Sequence, residues 1–174
     1  HGMGLGEAID FERQLLAPLC DLADLVIDTS RMSIHDLRRT IRDRLDDRNG
    51  NRLSILFRSF GFKHGIPGDA DFVFDARTLP NPYWETNLRS LSGRDAPVIE
   101  FLQGHDDVAR YVADVRGFLE RWIPEFGKAN RSYLTIAIGC TGGQHRSVYV
   151  AEQLGRLFRD DELRVLVRHS ELPD

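Results

Sequence analysis

The stretch Gly139-Cys140-Thr141-Gly142-Gly143-Gln144-His145-Arg146-Ser147 carries the densest chemistry in this chain. It follows a near-continuous apolar run, Leu134-Thr135-Ile136-Ala137-Ile138, of the kind expected in a strand buried on both faces. A helix is predicted from about Ser147. Strand, glycine-rich turn and helix N-terminus together form an anion-binding arrangement. Glycines let backbone N–H groups approach a ligand closely, and the unpaired amides and dipole of the helix favour negative charge. His145 and Arg146 add side-chain donors at the same place. The plainer alternative is a tight turn that needs glycine for its backbone angles alone. An Arg and a His directly after it favour the anion reading.

Cys140 and Arg146 are separated by five residues, with Ser147 next. That spacing matches the loop of cysteine-dependent phosphatases, in which a thiolate attacks phosphorus and an Arg clamps the oxygens. A helix N-terminus and a neighbouring Arg both favour the thiolate form of a cysteine. However, Gly139 stands where the phosphatase pattern has His, and no Trp-Pro-Asp-like acid loop is present. The expectation is therefore a binding loop with no catalytic residue, and a cysteine phosphatase using Cys140 and Arg146 is the alternative.

A second glycine-flanked loop, Ser59-Phe60-Gly61-Phe62-Lys63-His64-Gly65, follows a strand predicted from Leu53 to Phe60. It places Lys63, one of two lysines in the chain, at that strand's end. Asp75 and Arg77 close the next strand, Phe72 to Ala76, before the stiff turn Leu79-Pro80-Asn81-Pro82. Ligands of open α/β sheets bind outside the carboxyl ends of the strands. Three such ends would bring together Lys63, Asp75 with Arg77, and Cys140 through Arg146. Cations for a phosphate, with a carboxylate for hydroxyl or amine groups, suit a phosphorylated sugar. An exposed loop at Lys63 and His64, and a local Asp75–Arg77 ion pair, are the simpler readings.

Elements that position these residues can be read along the chain. Strands at Tyr133 to Gly139 and Arg164 to Val167 join the two above. Helices are predicted at Glu12 to Leu19, Pro97 to Leu102, Asp106 to Phe126 and Ser147 to Phe158. In the longest, Val108, Tyr111, Val112, Val115, Phe118, Leu119 and Trp122 share an apolar side. Alternating strands and helices argue an α/β fold with a mainly parallel sheet flanked by helices. Leu25 to Asp28 reads as a further buried strand. Ser33 then caps a helix carrying Ile34, Leu37, Ile41 and Leu45, with Asp36 completing a capping box. Its other face mixes Arg38, Arg39, Arg42 and Arg44 with Asp43 and Asp46, as a solvated face does.

Asp47 to Arg52, with Asn49-Gly50, is the expected boundary between residues 1–50 and 51–174. His1-Gly2-Met3 reads as a tag remnant, and no signal peptide is recognisable. At 41% hydrophobic and 29% charged, the composition is that of a folded globular chain. No apolar run approaches the roughly 20 residues of a membrane-spanning helix, so no membrane partner is expected. Cys20 and Cys140 offer neither a disulfide framework nor zinc spacing, which favours a reducing cytoplasm and no metal. The net charge of −4 gives no overall attraction to nucleic acid.

The segments Ser59 to Gly65, Asp75-Ala76-Arg77-Thr78-Leu79-Pro80-Asn81-Pro82 and Gly139 to Ser147, in this order, resemble the RapZ family of RNase adapters, also described as YvcJ-like nucleotide-binding proteins. The resemblance runs from about Asp10 to Leu172. Ala23 to Ser30 is similar to the closing strand of the family's N-terminal P-loop kinase-like domain, and residues 51–174 to its C-terminal ligand- and RNA-binding domain. No Gly-x-x-x-x-Gly-Lys-Ser/Thr loop occurs. The resemblance thus implies that ATP or GTP binds in N-terminal sequence outside this segment, which itself needs no cofactor. It also implies a phosphofructokinase-subdomain-like fold and a cytoplasmic homo-oligomer. The implied function is to sense glucosamine-6-phosphate, bind small regulatory RNA, and present it to RNase E to control amino-sugar synthesis. The implied ligand residues are Lys63, Asp75, Arg77, Asn81, Cys140, Thr141, Gly142, Gly143, His145, Arg146 and Ser147, and no RNA-contacting residue can be assigned. Tyr83 stands where many relatives have His, Thr78 where Phe is usual, and Gln144 where Lys is common. The tail around Asp160-Asp161-Glu162 is acidic where enteric relatives are lysine-rich, which removes phosphate contacts that RNA affinity depends on.

Overall fold

A computed structural model of the chain describes residues 4–23, 25–30, 32–34, 36–37, 40–41, 53–129, 131–159 and 163–173. Its centre is one parallel sheet of β1 (Ser54–Gly61), β2 (Phe72–Asp75), β3 (Tyr133–Cys140) and β4 (Arg164–His169), ordered β2-β3-β1-β4. The helices whose bounds lie within the described residues include α1 (Leu5–Leu22), α2 (Ala96–Gln103), α3 (Asp106–Lys128) and α4 (Arg146–Leu157). The expected α/β class with a parallel sheet is the observed one.

Register neighbours share a face. Phe57 pairs with Ile136 and Val167, and Ile136 pairs with Phe72, so these side chains form one apolar row across the sheet. Helices α2, α3 and α4 cover that row with Val98 and Leu102, then Val108, Val115, Leu119 and Ile123, then Val150 and Leu154. Each large side chain removed from water there contributes on the order of 1.5–3 kcal/mol. The spacing of the four α3 residues is helical, which is why the predicted apolar side becomes the buried one. Phe118 and Trp122, at its margin, remain 40% and 46% exposed.

The opposite sheet face carries Leu56 and Arg58 from β1 and Leu166 and Arg168 from β4. With Val26, Ile27 and Met32 of the N-terminal segment they line a cavity of about 310 Å³. Arg58 donates to Asp69 at 3.1 Å and to Ser170 Oγ at 2.9 Å, and Arg168 donates to Thr40 Oγ1 at 2.8 Å. The edge strand β4 is further tied by His169, whose Nδ1 lies 2.8 Å from Ser59 Oγ and whose Nε2 lies 3.3 Å from Glu152.

Two N-terminal expectations change. Residues 25–28 form no strand, because no strand among the described residues pairs with them; Val26 and Ile27 line the cavity instead. The first helix is longer than Glu12 to Leu19, starting where the Glu7 carboxylate accepts the Gly4 N–H at 3.0 Å. The box at Ser33 is present: Ser33 Oγ accepts the Asp36 N–H at 3.2 Å, and the Asp36 carboxylate accepts the Ser33 N–H at 3.0 Å. Ile34, Asp36, Leu37, Thr40 and Ile41 are helical, while Leu45 and the Arg face from Arg38 to Arg44 lie outside the described residues. Among the described residues, no helix is long and apolar enough to cross a membrane.

Candidate functional site

The register of the sheet assembles the site. Gly61 lies beside Cys140 and Asp75 beside Gly139, so β1, β2 and β3 end together. Their loops then cross closely. A Cβ on Gly61 would lie 2.8 Å from the Gly142 carbonyl carbon, and one on Gly143 would lie 2.6 Å from the Gly61 nitrogen. Gly143 also has φ of +73°, which side chains disfavour. The Lys63 N–H donates to the Thr141 carbonyl at 3.3 Å, pinning the second loop onto the first.

Within the 140–147 turn, the donors sort into used and open ones. The Gly143 N–H donates to Cys140 Sγ at 3.2 Å, and Ser147 Oγ sits 3.1 Å from the same sulfur. The N–H groups of Thr141, Gly142 and Gln144 have no partner among the described residues. Arg146 is only 5% exposed. One of its terminal nitrogens donates to the Arg77 and Leu79 carbonyls at 2.9 and 3.1 Å, and the other reaches Thr141 Oγ1 at 3.5 Å. Its Nε is buried with no partner. Burial lowers the guanidinium's proton affinity, and nearby Cys140 and Asp75 partly restore it. Open amides beside a buried, orphaned guanidinium nitrogen make a cradle of donors that can hold a compact anion.

The remaining predicted residues fall into two groups. Lys63 is exposed at the rim and makes no ion pair among the described residues. Asp75 is close enough for Arg146 to lower its proton affinity, though the larger cause is Arg77, which donates to it through both its backbone and its guanidinium at 2.6–3.0 Å. The Arg77 guanidinium also lies 4.0 Å from the Phe62 ring centroid. Asn81 spends its side-chain oxygen on the Tyr83 N–H at 3.4 Å, starting a short 3₁₀ turn.

His145 and Gln144 face a different element. His145 Nε2 donates to the Leu88 carbonyl at 3.1 Å, and the Gln144 amide donates to the Leu91 carbonyl at 2.7 Å. Both therefore clamp the 88–93 loop to the cradle. Burial, partly offset by the Leu88 bond, holds the His145 imidazole below its ordinary value of 6.5. The unfolded chain then takes up this proton as pH falls through 6.5 while the folded chain resists it, so folding stability declines in that window. The thermal midpoint should fall between about pH 7.5 and about pH 5.5, and fall less in His145→Gln. Equal slopes in both proteins would exclude His145 as the responsible group.

One site neighbour escaped the sequence reading. Tyr111 belongs by spacing to the apolar side of α3, yet its hydroxyl is buried without a partner among the described residues. Burial, and secondarily the charge of Asp75, push the phenol up to about 12. No spacing rule separates this tyrosine from the core residues around it.

The sequence matches the RapZ C-terminal domain over residues 53–173 and the RapZ-like N-terminal domain over residues 3–49. This chain belongs to the RapZ family. A protein of Marinobacter nauticus, named nucleotide-binding protein, is 57% identical over 169 residues, covering 97% of this chain and 58% of its own length. A Methylobacillus flagellatus protein of the same name is 57% identical over 168 residues, covering 97% and 59%. A Chromobacterium violaceum one is 53% identical over 171 residues, covering 98% and 60%. This chain thus spans about three fifths of the length of these relatives. Within the RapZ fold, the cradle lies wholly in the part matched by the C-terminal domain.

Proposed function

We propose that this chain is the sensing part of a RapZ protein, whose cradle binds the phosphate of an amino-sugar phosphate such as glucosamine-6-phosphate without catalysing a reaction on it. The observation that supports this reading is Arg146: a guanidinium 5% exposed, fixed by two carbonyls, with Nε unpartnered beside open backbone amides. Gly139 supports binding over phosphatase chemistry, since a side chain there would overlap the Phe62 ring and approach Phe60 within 2.6 Å. The phosphatase pattern's His has no room in this packing.

Asp75, at the same strand ends, supplies the carboxylate for the sugar's ammonium group. Lys63 adds charge at the rim. Nucleotide binding, the property in the relatives' name, would rest on sequence beyond this chain, and residues 1–50 would complete that N-terminal unit. Exposed Leu5, Leu15, Leu19 and Leu22 on α1 support a missing apolar partner there. Adaptor activity toward small RNA and RNase E would use other surfaces of the assembled homo-oligomer.

Calorimetry tests the reading directly. Glucosamine-6-phosphate should bind more tightly than glucose-6-phosphate, and Asp75→Asn should erase roughly 1 kcal/mol of that difference while sparing inorganic phosphate. No heat at millimolar amino-sugar phosphate from the folded protein would reject it.

A further inference from the structure

Cys140 sits at the base of the cradle with more polar contacts than a thiol needs. Its Sγ accepts the Gly143 N–H at 3.2 Å and lies 3.1 Å from Ser147 Oγ. The buried Arg146 guanidinium is near enough to act on it electrostatically. A backbone amide, a hydroxyl and a buried cation therefore converge on one sulfur, at the N-terminal end of α4. The two hydrogen-bonding contacts fix the sulfur in place against the loop, where it can serve as a nucleophile as well as a wall of the pocket. The unpartnered Nε of Arg146, itself 95% buried, marks the same place as built for an anionic group.

We propose that Cys140 is an oxidation site gated by the ligand: hydroperoxide converts it to a sulfenate when the cradle is empty, and a bound phosphate shields it. The inference rests on reading the cradle as an anion site. Cys140 is 3% exposed, but hydroperoxide is no larger than the anion proposed for the cradle, and Thr141 at its mouth is exposed. In the reaction, Sγ attacks one peroxide oxygen; the S–O bond forms as the O–O bond breaks. Hydroxide leaves and is protonated by solvent, so sulfur loses two electrons and the peroxide is reduced to water. The new oxygen takes the Gly143 and Arg146 donors and fills space that a phosphate oxygen would occupy. Oxidation and ligand binding thereby exclude one another, and excess small thiol reverses the change.

Cys20, exposed on α1, is an internal reference in the same chain. The full chain is treated with hydrogen peroxide in phosphate-free buffer, and sulfenic acid is trapped with a 1,3-diketone and located by mass spectrometry. Cys140 should label about tenfold faster than Cys20. Millimolar inorganic phosphate should suppress only the Cys140 label, and Ser147→Ala should slow it. Peroxide should lower the phosphate affinity of the wild type and excess small thiol should restore it, whereas the affinity of Cys140→Ser, whatever its starting value, should not change on peroxide treatment. Labelling of Cys140 no faster than Cys20 overturns the proposal and leaves the binding reading standing. Fast labelling that phosphate does not suppress overturns the gating, and counts against the phosphate reading as well.

Discussion

Replacing Arg146 with lysine should weaken binding of phosphate-bearing ligands by about a hundredfold, the cost of one to two charge-assisted hydrogen bonds. The loss does not follow from charge, which lysine keeps. It follows from shape. One terminal nitrogen of Arg146 is committed to the Arg77 and Leu79 carbonyls, and only a planar fork can hold those bonds while keeping further donors, Nε among them, for a ligand. A lysine ammonium is a single point of donation. It either keeps the carbonyls and leaves the anion unpaired, or reaches the anion and leaves two buried carbonyls without a donor. Arg146→Lys should therefore also lower folding stability by about 1–3 kcal/mol. Calorimetry with glucosamine-6-phosphate and with inorganic phosphate should show similar losses, since Arg146 serves the part the two share. Affinity within about threefold of wild type would place the anion elsewhere.

The cradle was legible because its signals are local: a buried apolar run, a glycine turn and a helix start occupy one stretch of about 25 residues, and strand ends of a parallel sheet gather by topology. Side-chain commitments were not legible. His145 looks like a further ligand donor in the sequence, but its partner, like that of Gln144 beside it, is a carbonyl more than 50 residues away in a loop with no regular structure. Asp75 and Arg77 are two residues apart at a strand end, and the ion pair that they form is the simpler of the two readings their spacing allowed. The strand at Leu25 to Asp28 failed for a related reason. A short apolar run specifies burial, and whether burial comes by strand pairing or by lining a cavity depends on neighbours that the run does not encode. The sheet order β2-β3-β1-β4 likewise depends on which crossover each connection takes.

The 88–93 loop shows how much of the site lies outside the motifs, and Gly93→Ala should be strongly disruptive for a single added methyl. The Gly93 N–H donates to the Gln144 carbonyl at 2.9 Å, beside the bonds from His145 and Gln144 to Leu88 and Leu91. A Cβ on Gly93 would overlap the His145 carbonyl oxygen and lie 2.5 Å from the Tyr149 nitrogen. Those two atoms are hydrogen-bonded to each other at 2.9 Å in the first turn of α4, so neither can yield as a flexible side chain would. The loop must lift, and with it the clamp that holds His145 and Gln144. A stability loss of about 2–4 kcal/mol is expected, in the range of severe overpacking. Ligand affinity should fall with it, because Arg146 follows His145 directly and the cradle amides share the same turn. Gly117→Ala provides the contrast: it lies within α3 with nothing within 4 Å of its added methyl. Alanine there should stabilise by about 0.5–1 kcal/mol through helix propensity alone. Denaturant unfolding of both variants checks the pair. If Gly93→Ala cost no more than a typical surface substitution, within about 0.5 kcal/mol of wild type, the loop would not be clamped against α4 as described.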